Sequence, residues 1–175
     1  MRAIRMFFID SGRRVAMTNF TTTGLMVARP GAGEPRRIGS SRITIKATAG
    51  QTHGGFGLIV SEVTRDASSP LHIHHTADES MWVVSGLVRV RCGEDEFTLA
   101  PGGFAFLPRG VPHTFIAEED TTMLGLVSPG GTEAFFAEGG PVATTDTPPP
   151  PDLERLQRAA ERNQCEFVGP PLSPA

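Results

Sequence analysis

The stretch LHIHHTADESMWVVSG, residues 71–86, places three of the chain's five histidines in four positions and follows them with Asp78 and Glu79. Imidazole nitrogens and carboxylate oxygens are the donors that hold transition metals while leaving coordination positions open for a reactant. In an extended strand alternate residues face one side, about 7 Å apart. His72 and His74 are therefore co-facial, while His75 points away or begins the turn. Glu79 opens the next β-prone run, ESMWVVSG, and antiparallel pairing of that run with LHIH would return the carboxylate to the histidine face. Downstream, GGFAFLPRGVPHTF sets His113 directly after a turn punctuated by Pro108, Gly110 and Pro112, residues that bend the chain sharply and aim the imidazole inward. His72, His74, Glu79 and His113 are thus candidate ligands of one ion.

The elements that must position them are short and β-prone. RITIKATA (42–49), FGLIVSEV (56–63), LHIH (71–74), MWVVSG (81–86) and LVRVRC (87–92) are followed by EFTLAPG (96–102), GFAFLP (103–108), HTFIAE (113–118) and TMLGLVS (122–128). Turn signals such as TAGQTHGG, DASSP, CGED, APGG, PRGVP and EEDT separate them. Many short strands with no helical pattern between them predict a sandwich or barrel. RVRCGEDEFTL reads as a hairpin with Gly93 at the turn. The character changes at TEAFFAE (132–138), a short helix with Thr132 as N-cap and Gly139 as its stop. TTDTPPPPD (144–152) is a stiff connector. DLERLQRAAERNQ (152–164) is amphipathic, capped by Asp152 and ended by Asn163, and serves as structural cover or a dimer contact. We divide the chain into a mobile N-terminal arm (1–17), a β-barrel domain (18–140), and a C-terminal part (141–175) of Pro-rich linker, amphipathic helix and tail.

Composition narrows the class. The chain has 175 residues, 20 of them Gly and 15 Pro, which suits one turn-dense β domain rather than a helical bundle. A net charge of -3 provides no global basic field for nucleic acid, and no apolar run is long enough to cross a bilayer. Met17 offers an alternative start, and MFFI is too short for the core of a signal peptide. Cys92 and Cys165 lie far apart, in no paired spacing, so a reducing cytoplasm is expected; Cys92 reads as a buried, inert thiol.

The spacing His72-x-His74-x4-Glu79-x6-Gly86 resembles the first motif of the cupin family, and Gly102-x5-Pro108-x-Gly110-x2-His113 resembles the second. The likeness covers about residues 40–128 and includes a short intermotif segment. Asp66 replaces a glycine expected ahead of the first histidine, and Ala117 replaces an asparagine found after the second-motif histidine; neither position is a metal ligand in the family. The resemblance implies an all-β double-stranded β-helix with a short C-terminal helical extension. It also implies His72, His74, Glu79 and His113 as ligands of one divalent transition metal ion, whether nickel, iron, cobalt, manganese, copper or zinc. With its flanks, including GLMVARPGAGEPRRIGSSRITIKATA and the closing VGPPL, the chain resembles bacterial flavonol (quercetin) dioxygenases and small cupins of aromatic polyketide pathways. Such cupins are commonly homodimers.

Strand parity extends the reading. Met81 and Val83 share the side of Glu79, and Phe115 that of His113, so these three are expected to line a cavity at the metal. Trp82 then points away, into packing between sheets or against a flanking segment. Phe104 and Phe106 share one face. Asp78 is placed opposite Glu79, and His53 and His75 as solvated or supporting imidazoles. The expected reaction is ring cleavage of a flavonol-like aromatic with O2, releasing carbon monoxide. Glu79 would take the substrate hydroxyl proton, either by rotating partly off the ion or with a pKa raised by the apolar pocket. The alternatives are a metal-dependent isomerase, cyclase or decarboxylase of a polyketide-like molecule, and a non-catalytic binding cupin.

Overall fold

The computed structural model describes residues 24–144 and 150–174, together with the backbone of 19–20. The arm expected over 1–17 and the core of the Pro-rich connector, 145–149, lie outside the described residues. The chain forms β1 (Asn19–Phe20), β2 (Met26–Val27), β3 (Pro35–Ile38), β4 (Ser41–Ala47), β5 (Gly57–Val63), β6 (Leu71–His74) and β7 (Asp78–Ser85). There follow β8 (Val88–Cys92), β9 (Asp95–Leu99), β10 (Phe104–Leu107), β11 (His113–Ala117) and β12 (Thr121–Ser128), then α1 (Ala134–Gly139), α2 (Leu153–Arg162) and β13 (Cys165–Gly169). Each turn cluster read from the sequence separates two of these strands. Gly93, at φ 59, makes the β8–β9 hairpin turn.

Two antiparallel sheets face each other. One runs β10-β7-β12-β5-β4-β3 and the other β13-β6-β11-β8-β9. From β5 to β8 the chain alternates between the sheets strand by strand, then crosses again at β10, β11 and β12, which is the double-stranded β-helix predicted from the motifs. Alternation along each strand makes one face the core: in β12, Met123, Gly125 and Val127 point in, and in β5, Ile59, Ser61 and Val63 do. Val83, Val88, Val90, Leu107 and Ala117, all almost fully buried, pack between the sheets.

Two expectations are corrected here. First, β6 and β7 do not pair; they belong to opposite sheets, so Glu79 reaches the histidines across the barrel rather than along a hairpin. The link between them, residues 75–77, is a crossing and not a turn back. Second, Trp82 is 47% exposed: it faces outward beside its cross-strand neighbour Phe104, which is 55% exposed, and Phe106 at 56% extends the same outer face. Within the tail that follows α2, β13 pairs antiparallel with β6 and so joins the second sheet.

The helices differ in how they begin. Asp152 caps α2 by accepting from the Arg155 backbone N–H at 2.9 Å, and Asn163 ends it, as its sequence predicts. The N-cap of α1 is Glu133 rather than Thr132, and it makes no side-chain cap hydrogen bond. The buried Glu133 carboxylate instead accepts from the backbone of Ala49 and of Gly131, tying the loop before β5 to the segment after β12. Ala159 and Ala160 are the fully buried face of α2, which docks against α1 and β13. No helix among the described residues is long and apolar enough to cross a membrane.

Candidate metal centre

His72 and His74 project from β6, Glu79 from β7 in the opposite sheet, and His113 from the first position of β11. The ladder between β11 and β6 puts His113 directly opposite His72, so backbone pairing alone brings two of the imidazoles together. Their ring centroids are 4.4 Å apart, with His72 and His74 at 5.0 Å and His74 and His113 at 5.3 Å. One donor atom from each of the four residues lies within 4.8 Å of the others. Two ligands about 2.0–2.2 Å from one ion cannot be more than about 4.4 Å apart. The set is therefore a few tenths of an ångström from a shared coordination sphere.

The hydrogen bonds behind the rings decide which nitrogens face inward. Nδ1 of His72 lies 2.8 Å from the Pro70 carbonyl and Nδ1 of His113 lies 2.9 Å from that of Val111. A carbonyl only accepts, so in both rings Nδ1 carries a proton and Nε2 keeps its lone pair for the centre. Glu79 Oε2 lies 3.0 Å from His74 Nε2 and 3.3 Å from His113 Nε2. The lone pairs of His72 and His113 converge with the Glu79 carboxylate and with His74, whose buried Nδ1 is left without a hydrogen-bond partner among the described residues, and a positive charge among them suits this set. The donor set thus fits a divalent transition ion, with His72, His74, Glu79 and His113 as the residues that would hold it.

The electrostatics of Glu79 and His72 agree with that fit. Burial pushes the Glu79 carboxyl up, but hydrogen bonds and charge from His113 and His74 outweigh it and hold the group well below the usual carboxylate range. This is opposite in direction to the raised value named above as one route to a stronger base. Burial and the like charge of His113 and His74 bring His72 down to about 4, against the pull of Glu79. A neutral imidazole beside an ionised carboxylate is the state a cation needs. For His113 burial acts downward, yet the hydrogen bond and charge of Glu79 prevail and raise it.

Two loops hold this arrangement in register. Asp78 accepts from the Arg109 backbone N–H at 2.9 Å, and from its Nε at 3.0 Å and Nη2 at 2.7 Å, a fork that ties the start of β7 to the turn before His113. That fork holds Asp78 at about pH 2 for its titration. The Gly110 N–H donates to the His74 carbonyl at 2.9 Å, anchoring the same turn to β6. Asp78 thus supports Glu79 from the outer face, as strand parity places it. His75 is exposed and pairs with Glu166 of β13, and His53 is a solvated turn residue at φ 54.

The four residues open onto a cavity of about 320 Å³. Met81 and Phe115 line it, together with Leu107, Met123, Ile43 and Ile59. Val83 does not: at 0% exposure it belongs to the packed core beneath the cavity floor. One step of strand parity carries a side chain about 7 Å further along the barrel, and that is enough to leave the cavity.

Residues 60–129 match the family model described as "Cupin domain". The barrel is a cupin domain. Quercetin 2,3-dioxygenase of Bacillus subtilis (strain 168) is 25% identical over 123 residues, which are 69% of this chain and 36% of that enzyme. The chain thus spans about a third of the length of this curated relative. Among solved structures, a predicted oxalate decarboxylase from Thermotoga maritima aligns over 59% of this chain and 99% of its own, with a TM-score of 0.55 at 17% identity. The Cnp3 cupin domain of Schizosaccharomyces pombe aligns over 62% of this chain and 78% of its own, with a TM-score of 0.52 at 14% identity. These structural likenesses show the fold.

Several residues of the cupin cavity escaped the sequence reading. Phe135 and Phe136 of α1 and Leu153 and Leu156 of α2 cover it, although the amphipathic pattern pointed only to cover or a subunit contact. Cys165 of β13 lies opposite His74 and lines the cavity; burial and the Glu79 charge push its thiol up to about 12, so it stays protonated. Cys92 is half-buried rather than buried, and burial raises its thiol too. Gly125 of β12 leaves space that a side chain would fill: an added Cβ would lie 2.9 Å from Ile59 Cγ1 and 4.0 Å from Glu79 Oε1.

Proposed function

We propose that this protein is a metal-dependent dioxygenase that cleaves a flavonol-like, quercetin-type aromatic with O2 and releases carbon monoxide. The observation that carries the reading is an apolar cavity opening directly onto a three-histidine, one-glutamate donor set. A sugar-like substrate would want several polar groups around the ion, whereas Met81, Phe115, Met123 and Leu107 suit the faces of flat rings. The likeness to the Bacillus subtilis enzyme supports the same substrate class.

A divalent transition ion held by His72, His74, Glu79 and His113 supplies a Lewis acid that acidifies a bound hydroxyl and an open position for the reactant. The chain's own residues do the rest. Glu79 uses Oε2 toward His74 and His113, while Oε1 has no hydrogen-bond partner among the described residues and faces the gap left by Gly125. Oε1 is the atom that takes the substrate hydroxyl proton, over a distance that bound substrate closes. Nδ1 protonation of His72 and His113 keeps their rings oriented through that transfer. Phe135, Phe136 and Leu156 exclude water that would compete for the open position.

The test is O2 uptake and carbon monoxide release from quercetin by protein reconstituted with each of the six metals in turn. Turnover with at least one metal is expected. In Glu79→Gln, metal content falls only in part while turnover drops by about 10²-fold or more, the size of a lost general base. Absence of flavonol turnover with every metal, or wild-type rates in the glutamine variant, would overturn the dioxygenase reading or the base role respectively.

A further inference from the structure

Ser61 lies on β5 with its side chain turned into the barrel, 6% exposed, and it lines the cavity. Its neighbours across the ladders are Ile43 on β4 and Met123 on β12, both apolar. Three hydroxyls on the facing side of the cavity are, by contrast, occupied. Ser68 donates to the Phe115 carbonyl at 2.7 Å, Thr114 donates to the Ser69 carbonyl at 2.6 Å, and Ser69 shares a contact with Thr114 at 3.3 Å. The Ser61 hydroxyl has no such partner among the described residues. An unpaired hydroxyl in an apolar surround costs free energy that a hydrogen-bonding ligand recovers.

Its distance from the metal centre gives the ligand a length. Gly125 is opposite Ile59 across the β12–β5 ladder, and an added Cβ there would be 4.0 Å from the Glu79 carboxylate. Ser61 is two residues beyond Ile59 on the same face, about 7 Å further along the strand. Ser41, a diagonal neighbour of Ser61 on β4, adds a second hydroxyl to this end of the cavity. Thr132, which also lines the cavity without a partner, belongs to the opposite end of β5: its neighbour Glu133 sits on Gly57. The cavity thus has an ionic end at Glu79, an apolar middle, and a hydroxyl at the far end of one wall.

We propose that Ser61 is a specificity-determining residue, hydrogen-bonding an oxygen substituent on the ring furthest from the metal centre. The inference rests on the flavonol reading above and adds a selection to it: the preferred substrates are multi-ring aromatics oxygenated at both ends. A small apolar residue would leave the same room, so size alone does not account for a serine here.

Binding measured without turnover tests this. Zinc-loaded protein under anaerobic conditions is titrated with 3-hydroxyflavone, which lacks further hydroxyls, and with quercetin, which carries them on both outer rings. Wild type should favour quercetin by about three- to tenfold, the worth of one neutral hydrogen bond, and in Ser61→Ala that ratio should fall toward one. Unchanged zinc content and unfolding midpoint show that the variant is intact; should alanine prevent folding, Ser61→Cys, similar in size and a poor hydrogen-bonder, is held to the same criterion. A wild-type preference that survives the substitution, or no preference in wild type, overturns the role of Ser61 alone. Failure of wild type to bind either flavonol overturns the flavonol reading and this inference with it.

Discussion

Asp66 holds the left-handed conformation, φ 67, at the place where the cupin motif expects glycine. Its backbone N–H donates to the Ala117 carbonyl at 2.8 Å, so the bend is kept although the favoured residue is gone. A side chain in this region costs about 1 kcal/mol, less for Asp than for most residues. We therefore expect Asp66→Gly to raise stability by about 0.5–1 kcal/mol and Asp66→Val to lower it by about 1–2 kcal/mol, both read from urea unfolding. At this scale much was legible. Donor types and spacing nominate His72, His74, Glu79 and His113, and the structure brings these four together. What spacing does not carry is depth: Met81 and Val83 have the same parity, yet one borders the cavity and the other is sealed beneath it.

Among the elements, the strands between 42 and 128 were legible because glycine, proline and acidic clusters separate them. The strands outside that range were not, β3 and β13 among them. β3, PRRI, has the polar look of a loop, and its residues are only half-buried. β13, CEFVG, follows a helix and finds its partner far back in the chain, where no local pattern signals it. The α2 helix explains how that last strand is delivered. Its fully buried alanine pair is the contact face. Ala159→Glu should detach α2 and β13 from the barrel without unfolding the other strands, since a buried charge costs several kcal/mol. Hydrogen exchange checks this: amides of 153–169 should lose protection while those of β8 and β12 keep it. Uniform loss of protection throughout the chain would contradict the separation.

Across the whole molecule, the candidate ligands join two layers, since β6 and β11 belong to one sheet and β7 to the other. An ion in that position cross-links the sheets of the folded state and has no matching site in the unfolded chain. Metal present at about 1,000 times its dissociation constant should add about 4 kcal/mol, raising the melting temperature by about 10 °C for a chain of this length. A chelator should return the midpoint to its metal-free value. A midpoint that metals leave unmoved would count against the shared site. Sheet membership itself was not legible, because adjacency of LHIH and ESMWVVSG in sequence suggested a hairpin where the chain in fact crosses over.

The contact between His75 and Glu166 spans 91 positions, and the pairing of β13 with β6 is of the same reach. During synthesis, then, the strand bearing two imidazoles waits with one edge bare until the chain has been made as far as β13. The cavity gains its covering phenylalanines and leucines late as well. Capture of the ion in a living cell therefore waits on β13, and ribosome-bound fragments that stop short of residue 165 would carry the donors with that edge still bare.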